Sequence, residues 1–327
     1  MNKKEKIILV GSCITAAVMA LAESMRYRGA DYLVRLALDR NSPPYPPGTE
    51  RRLSGSSVDH TMLQKLEAAG KDLSARPHEV IRLQSRDGTP LVGHWMAVPT
   101  PKRVIIAMHG WRSAWDHDFG LVAQFFQNNG CSVLYAEQRG QGGSGGDHMG
   151  FGLTERYDCL DWINWVNRKI KKRIPVYLCG VSMGASTVLM AGGLDLPPNV
   201  RGILADCGFT STVDIWKHVA KQAHLAYPVY GGTAGKLAEK RLRIPVDADS
   251  CPQSLTRCRV PVLFVHGTED HFVPIDMTYR NYQACAAPKR LFVVPGAEHG
   301  MSYLTDPQGY ENAVKSFWSE FDGGNIT

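Results

Sequence analysis

Residues 176–192 read VYLCGVSMGASTVLMAG, and the fold is decided there. Val176–Cys179 is a short, unbroken apolar run, the pattern of a strand buried on both faces. From Met183 to Gly192 apolar and small residues continue at helical spacing. Between the two lies Gly180-Val181-Ser182-Met183-Gly184, a G-x-S-x-G pattern. A sharp strand-to-helix turn tolerates only small residues beside its serine and holds the hydroxyl up at the sheet edge. The helix N-terminus behind it offers unpaired N–H groups to developing negative charge. Five residues of this form occur by chance; placed after a buried strand and before a helix, they single out Ser182 as a nucleophile.

The same rhythm extends in both directions. His78–Leu83 and Leu91–Val98 flank the turn Ser85-Arg-Asp-Gly88 and read as an antiparallel hairpin. Val104–Met108, Ser132–Ala136, Val176–Gly180, Gly202–Ala205, Pro261–Val265 and Leu291–Val294 read as buried strands. Helical patterns fall at Gly120–Asn128, Thr154–Ile170, Met183–Gly192 and Gln308–Phe321. Strand alternating with helix predicts an α/β protein with a mostly parallel, doubly wound sheet. Residues 210–257 break the rhythm with helical, aromatic sequence (Trp216, Tyr227, Tyr230) and read as an inserted helical cap. Ligands of such sheets bind at the carboxyl ends of the strands.

A serine needs a base to take its proton. His299, in Pro295-Gly-Ala-Glu-His-Gly300, follows the last strand, where a loop brings its ring over the serine. The imidazole needs an acceptor, and Asp270 stands just beyond Pro261–Val265. Glu269 beside it and Asp206 after the preceding strand are the alternatives, with Asp270 preferred. The chain order Ser182, Asp270, His299 suits this sheet. The oxyanion donors fall to the backbone N–H groups of Met183 and of Trp111, in the loop His109-Gly110-Trp111.

The ordered segments MHGW, EQRGQGGSGG, GVSMG, HGTEDHFVP and PGAEHG resemble the α/β-hydrolase superfamily. They look most like bacterial, often membrane-anchored, cap-bearing serine hydrolases of the serine-aminopeptidase and cinnamoyl-esterase-like group. The resemblance covers roughly residues 78–322. It implies the α/β-hydrolase fold, with Ser182 as nucleophile, Asp270 and His299 as its partners, and Trp111 and Met183 as oxyanion donors. It also implies a carboxylic ester or related acyl substrate, with a peptidase on the same triad as the alternative. One departure stands out: Glu137 occupies the place of the aspartate in the family's Asp-x-Arg-Gly-x-Gly-x-Ser, while Arg139 and Gly140 remain.

The N-terminus reads differently. Lys3, Lys4 and Lys6 precede an uncharged run, Ile7–Ala22, that Glu23 ends. As a helix the run spans roughly 24 Å, short of a hydrocarbon core of about 30 Å. A cleaved signal peptide with Ala20-Leu21-Ala22 at its site would give a secreted protein, and a lipoprotein at Cys13 has few apolar residues before it. The favoured reading is an uncleaved single-pass anchor in the cell membrane over residues 1–40, because a helical pattern continues through Met25, Tyr27, Tyr32, Leu33 and Leu36. The Lys-rich flank then faces the cytoplasm and the catalytic domain lies outside, although Arg26, Arg28 and Arg35 narrow that bias. On this reading a chain lacking residues 1–40 retains activity. Residues 41–77 supply a Pro-rich spacer, Asn41–Gly48, and a short amphipathic helix over 58–73.

The 327 residues, 44% hydrophobic and 21% charged, exclude a disordered or coiled-coil chain. Thirty-seven basic and 31 acidic residues leave +6, spread too thinly for a nucleic-acid footprint. The densest basic run, Arg168–Arg173, reads as a helix end. Eight scattered cysteines are neither a disulfide framework nor a zinc pattern, though Cys251 and Cys258 are near enough in sequence to pair. Gly140–Gly145 matches G-x-G-x-x-G, but no helix opens behind it, against a dinucleotide site. Asp116-His117-Asp118 reads as a loop or helix cap, with Asp118 as N-cap, rather than a metal site. No cofactor or metal is required. The rival of another class is a membrane-tethered binding protein that keeps the fold without chemistry.

Overall fold

The structure, a computed structural model, describes residues 3–44, 60–170 and 174–323, with side chains described from Met19 onward in the first of these segments. Eight strands form one sheet: β1 (Glu79–Gln84), β2 (Pro90–Met96), β3 (Arg103–Met108), β4 (Cys131–Glu137), β5 (Val176–Val181), β6 (Val200–Asp206), β7 (Val262–Gly267) and β8 (Lys289–Val294). Their order is β1-β2-β4-β3-β5-β6-β7-β8. β2 pairs antiparallel with β1 and β4, and every other pair is parallel.

Side chains alternate across each strand, so the sheet separates two apolar layers. Ile105 and Ala107 of β3 join Phe119, Phe126 and Trp318 on one face. Val104, Ile106 and Met108 join Trp162, Val188 and Phe264 on the other. The first layer is closed by α2 (His60–Ala75), α3 (Trp115–Asn128) and α11 (Pro307–Phe321). The second takes α4 (Glu155–Ile170), α5 (Met183–Ala191) and α9 (Ile275–Ala284). All of α5 is buried; each large apolar side chain removed from water there contributes about 1.5–3 kcal/mol. Between β6 and β7 run α6 (Thr212–Gln222), α7 (Tyr227–Leu242) and α8 (Cys251–Leu255). The short α10 (Ser302–Thr305) follows β8.

The loop after β4 is fastened from several sides. Glu137 reaches across to β2, where His94 Nε2 lies 2.6 Å from its Oε1, and its Oε2 accepts the Gly143 N–H. Arg139 grips Asp158 of α4 with two nitrogens, Nε at 2.6 Å, and donates to Asp87 at 2.8 Å. The extra methylene of Glu137 therefore serves a cross-strand bond. Within the G-x-G-x-x-G segment the N–H groups of Gly140, Gln141, Gly143, Ser144 and Gly145 are bonded inside the protein.

α1 (Lys3–Leu38) corrects the anchor expectation. Among the described residues no helix is long and apolar enough to cross a membrane, which overturns the transmembrane segment and the localisation drawn from it. The side chains of residues 3–18 lie outside the described set. The physical reason is visible in the second half of the helix. Ala30, Val34 and Leu38, four residues apart, are 0–1% exposed and belong to the protein's own core. Arg241 of α7 donates to Asp31 at 2.7 Å and to Asp39 at 3.2 Å. Asp39 bridges to His148, and Arg40 donates to the Ser144 carbonyl. Packing thus runs straight through residue 40.

Smaller readings also shift. The helix over 58–73 is α2, His60–Ala75; the spacer lies outside the described residues from residue 45 on, as does the basic run from residue 171 to 173. α3 is capped by Ala114, four residues before Asp118, which instead turns inward. Cys251 and Cys258 are free buried thiols. Helix α9 had no counterpart in the sequence reading.

Because Leu38 is fully buried at the joint between α1 and the domain, Leu38→Ala should lower stability by about 2–5 kcal/mol in urea unfolding. A helix that merely rode outside the domain would show no change.

Candidate active site

β5 delivers its chain to a turn that only glycine permits on either side of Ser182. A Cβ on Gly184 would overlap the Met108 carbonyl, and one on Gly180 would overlap the Gly184 carbonyl. Ser182 itself takes φ 56°, ψ −118°, left-handed backbone that costs of order 1–3 kcal/mol for a non-glycine residue. Its N–H is held by the Asp206 carbonyl at 2.9 Å. This geometry raises the hydroxyl above the carboxyl end of β5 with α5 directly behind it.

His299 arrives from the loop after β8. Its Nε2 is 2.9 Å from Ser182 Oγ and its Nδ1 is 2.7 Å from Asp270 Oδ2. Phe272 packs edge-on against the ring at 5.0 Å. Asp270 sits beyond β7 with a fully buried side chain. Its Oδ1 accepts the N–H groups of Phe272 and Val273 at 3.0 and 2.8 Å, and His266 Nε2 stands 3.1 Å from its Oδ2. Burial pushes this carboxyl up, but His299 and His266 outweigh it and hold Asp270 well below the usual carboxylate range. Burial pulls His299 down, yet the Cys207 side chain and the Asp270 carboxylate raise it well above the ordinary histidine value. Of the two alternative acids, Asp206 accepts the Ser302 hydroxyl at 2.8 Å, and Glu269 is exposed.

The loop after β3 passes close to the serine. A Cβ on Gly110 would sit 3.3 Å from Ser182 Cβ, and the Gly110 N–H donates to Asp118 Oδ2 at 2.6 Å. Asp118 therefore pins this loop, and Trp111 follows one residue on. Met183 opens α5, where helix geometry leaves its N–H without an intrahelical partner. Trp111 lines the same cavity as Ser182.

A cavity of about 150 Å³ opens at Ser182. Its walls are almost wholly apolar and include Trp111, Phe151 and Phe209 near the sheet, Ile215 and Trp216 of α6, Tyr230 of α7, Phe272 after β7, and Leu33, Val34, Leu36 and Ala37 of α1. Phe151 is the hub, meeting Trp216 at 5.8 Å edge-on and Phe209 at 5.9 Å. α6 is tied to the Asp270 loop by His218 Nε2, 3.0 Å from the His271 carbonyl.

Three contributors were not singled out from the sequence. His266 lies in the quoted segment HGTEDHFVP, four residues before Asp270, and its burial among Thr278, Val273 and Asp270 is a tertiary fact. Cys207, at φ 50°, is buried beside His299. With Asp270 and His299 it forms a group of metal-type ligand atoms within 4.8 Å of one another. The Asp270 and His299 atoms in that group already bond each other, so an ion there would break the chain to Ser182. Finally α1 carries the period Ala30, Val34, Leu38, a signal that can be read as packing.

Comparison with known proteins agrees with this architecture. Structures of the Pyrococcus furiosus esterase Pf2001 superpose with a TM-score of 0.62 at 20% identity, covering 77% of this chain and 96% of that one. The chain has the α/β-hydrolase fold. The profile of the family described as serine aminopeptidase, S33 (Hydrolase_4) matches residues 99–241. The acylaminoacyl peptidase of Pyrococcus horikoshii superposes at TM-score 0.57 and 17% identity, over 78% of this chain and 44% of that one. In sequence the chain is 25% identical over 239 residues to YqkD of Bacillus subtilis (strain 168), described as uncharacterized, covering 72% of this chain and 77% of YqkD.

Asp206 yields a pH test. Burial pushes its carboxyl up to about 6, against the model-peptide value of 3.8. A folded-state pKa above the unfolded one means stability is greatest below pH 4 and is lost as pH rises through about 6. Asp206→Asn removes that loss, so its stability relative to wild type should grow between pH 4 and pH 8 by up to about 3 kcal/mol. Thermal unfolding across that range checks it; a constant difference contradicts it.

Proposed function

We propose that the protein is a serine hydrolase that cleaves a carboxylic ester, or a related acyl bond, through an acyl-enzyme at Ser182. The observation that carries the reading is the unbroken hydrogen-bond chain Ser182 Oγ–His299–Asp270, at 2.9 and 2.7 Å, raised on a strained turn at the mouth of an apolar cavity. In this reading Ser182 Oγ attacks the carbonyl carbon while His299 Nε2 takes its proton. The negative oxygen of the tetrahedral intermediate is held by the N–H groups of Trp111 and Met183. His299 then returns the proton to the leaving oxygen, and the acyl-enzyme forms. Water attacks that acyl group by the same route, with His299 again as base, and frees Ser182. Asp270 fixes the ring and stabilises its charged form. Helices α6 and α7, within residues 210–257, act as a cap over the site.

A peptidase on the same triad is the second reading, favoured by the S33 family description and by the acylaminoacyl peptidase likeness. An aminopeptidase needs a carboxylate near the serine to hold a free amine. Among the described residues that line the cavity none is acidic, which supports the ester.

Two outcomes test the proposal on a panel of p-nitrophenyl esters. Ser182→Ala should lower kcat by about 10⁶ in folded protein. Activity unaffected by that change would refute it. Because His299 acts as base only when neutral, the acid limb of kcat/KM should lie above the ordinary histidine value of 6.5. Asp270→Asn should shift that limb downward and reduce kcat by about 10⁴; an unmoved limb would show that Asp270 does not govern the histidine.

A further inference from the structure

The end of α1 is built into the active site. Leu33, Val34, Leu36 and Ala37 line the same cavity as Ser182. Their position is fixed by the loop that carries Trp111. A helix leaves its last carbonyls without intrahelical partners. Here the Trp111 indole N–H donates to the Ala37 carbonyl at 2.8 Å. Arg112 Nη2 donates to the Leu36 and Asp39 carbonyls at 2.9 and 2.7 Å, a cation set against the negative end of the helix. The Met149 N–H takes the Leu38 carbonyl at 2.8 Å. Across the cavity α7 leans on the same turns, and a Cβ on Gly29 would touch Tyr230 at 2.9 Å. These bonds fix the end of α1 against the cavity.

Resting on the serine-hydrolase reading, we infer that the last two turns of α1 gauge the acyl group, and that the substrate class is esters of straight, uncharged acids with about four to six carbons. The size follows from the cavity: about 150 Å³ of apolar space accommodates a molecule the size of benzene. The direction follows from Phe272, which lines the cavity and packs on His299, so that the chain of an acyl group on Ser182 lies between Phe272 and α1. Leu33, Leu36 and Ala37 all line the cavity, so shortening either leucine enlarges it and enlarging Ala37 narrows it.

The test uses the full chain and kcat/KM for p-nitrophenyl esters from acetate to dodecanoate. Wild type should peak at butanoate to hexanoate. Leu33→Ala and Leu36→Ala should move the peak to longer acids, raising the decanoate-to-butanoate ratio about tenfold or more, and Ala37→Phe should move it to acetate. The opposite directions separate pocket size from loss of fold, which would weaken every ester alike. An identical profile in all three variants, with hydrolysis still abolished by Ser182→Ala, overturns the gauge and leaves the serine hydrolase standing. Hydrolysis of no ester, or hydrolysis indifferent to Ser182→Ala, overturns the reading beneath it.

Discussion

Three chain segments meet where no side chain fits: the β5–α5 turn, the Met108 carbonyl at the end of β3, and the first turn of α5. The glycines at 180 and 184 exist because of that meeting, and Ser182 pays for it with a left-handed backbone. Everything nearby depends on the turn holding. The Asp206 carbonyl anchors the serine from β6, Gly110 approaches it from β3, and His299 reaches it from β8. Segments from β3, β5, β6 and β8 therefore converge on Ser182; the first three are neighbours in the sheet, and β8 lies one strand beyond β7.

The central strands were legible because each is an apolar run too short and too dense for anything but the middle of a sheet. β3, β4, β5 and β7 are buried along nearly their whole length, and composition alone marks such segments. Helix α9 was not legible: Ile275–Ala284 buries only Met277, Thr278 and Asn281, a face too narrow to show as a period. Ser182, Asp270 and His299, which the structure brings within hydrogen-bond reach of one another, could be named from the sequence because acyl chemistry demands those residue types at strand ends. His266 and Cys207 were not, since their relevance lies in which groups touch them once the sheet is closed.

The N-terminal helix shows the limit of local pattern most clearly. A run of uncharged residues behind lysines is what an anchor looks like, and the reading favoured one. The residues that settle the matter come later, where Ala30, Val34 and Leu38 form one buried face and the following carbonyls are taken up by Trp111, Arg112 and Met149. A packing face is legible in the helix itself, but its partners are about seventy to two hundred residues away. That distance also explains why a boundary drawn at residue 40 cuts through contacts to α7 and to the loop after β4.

The central claim is that Ser182 is an activated nucleophile, and reaction with a fluorophosphonate followed by peptide mapping tests it most directly. The account predicts one phosphonyl adduct per chain, on the peptide carrying Ser182, and none in Ser182→Ala. A folded wild-type protein that takes up no adduct, or an adduct that persists in Ser182→Ala, would contradict it.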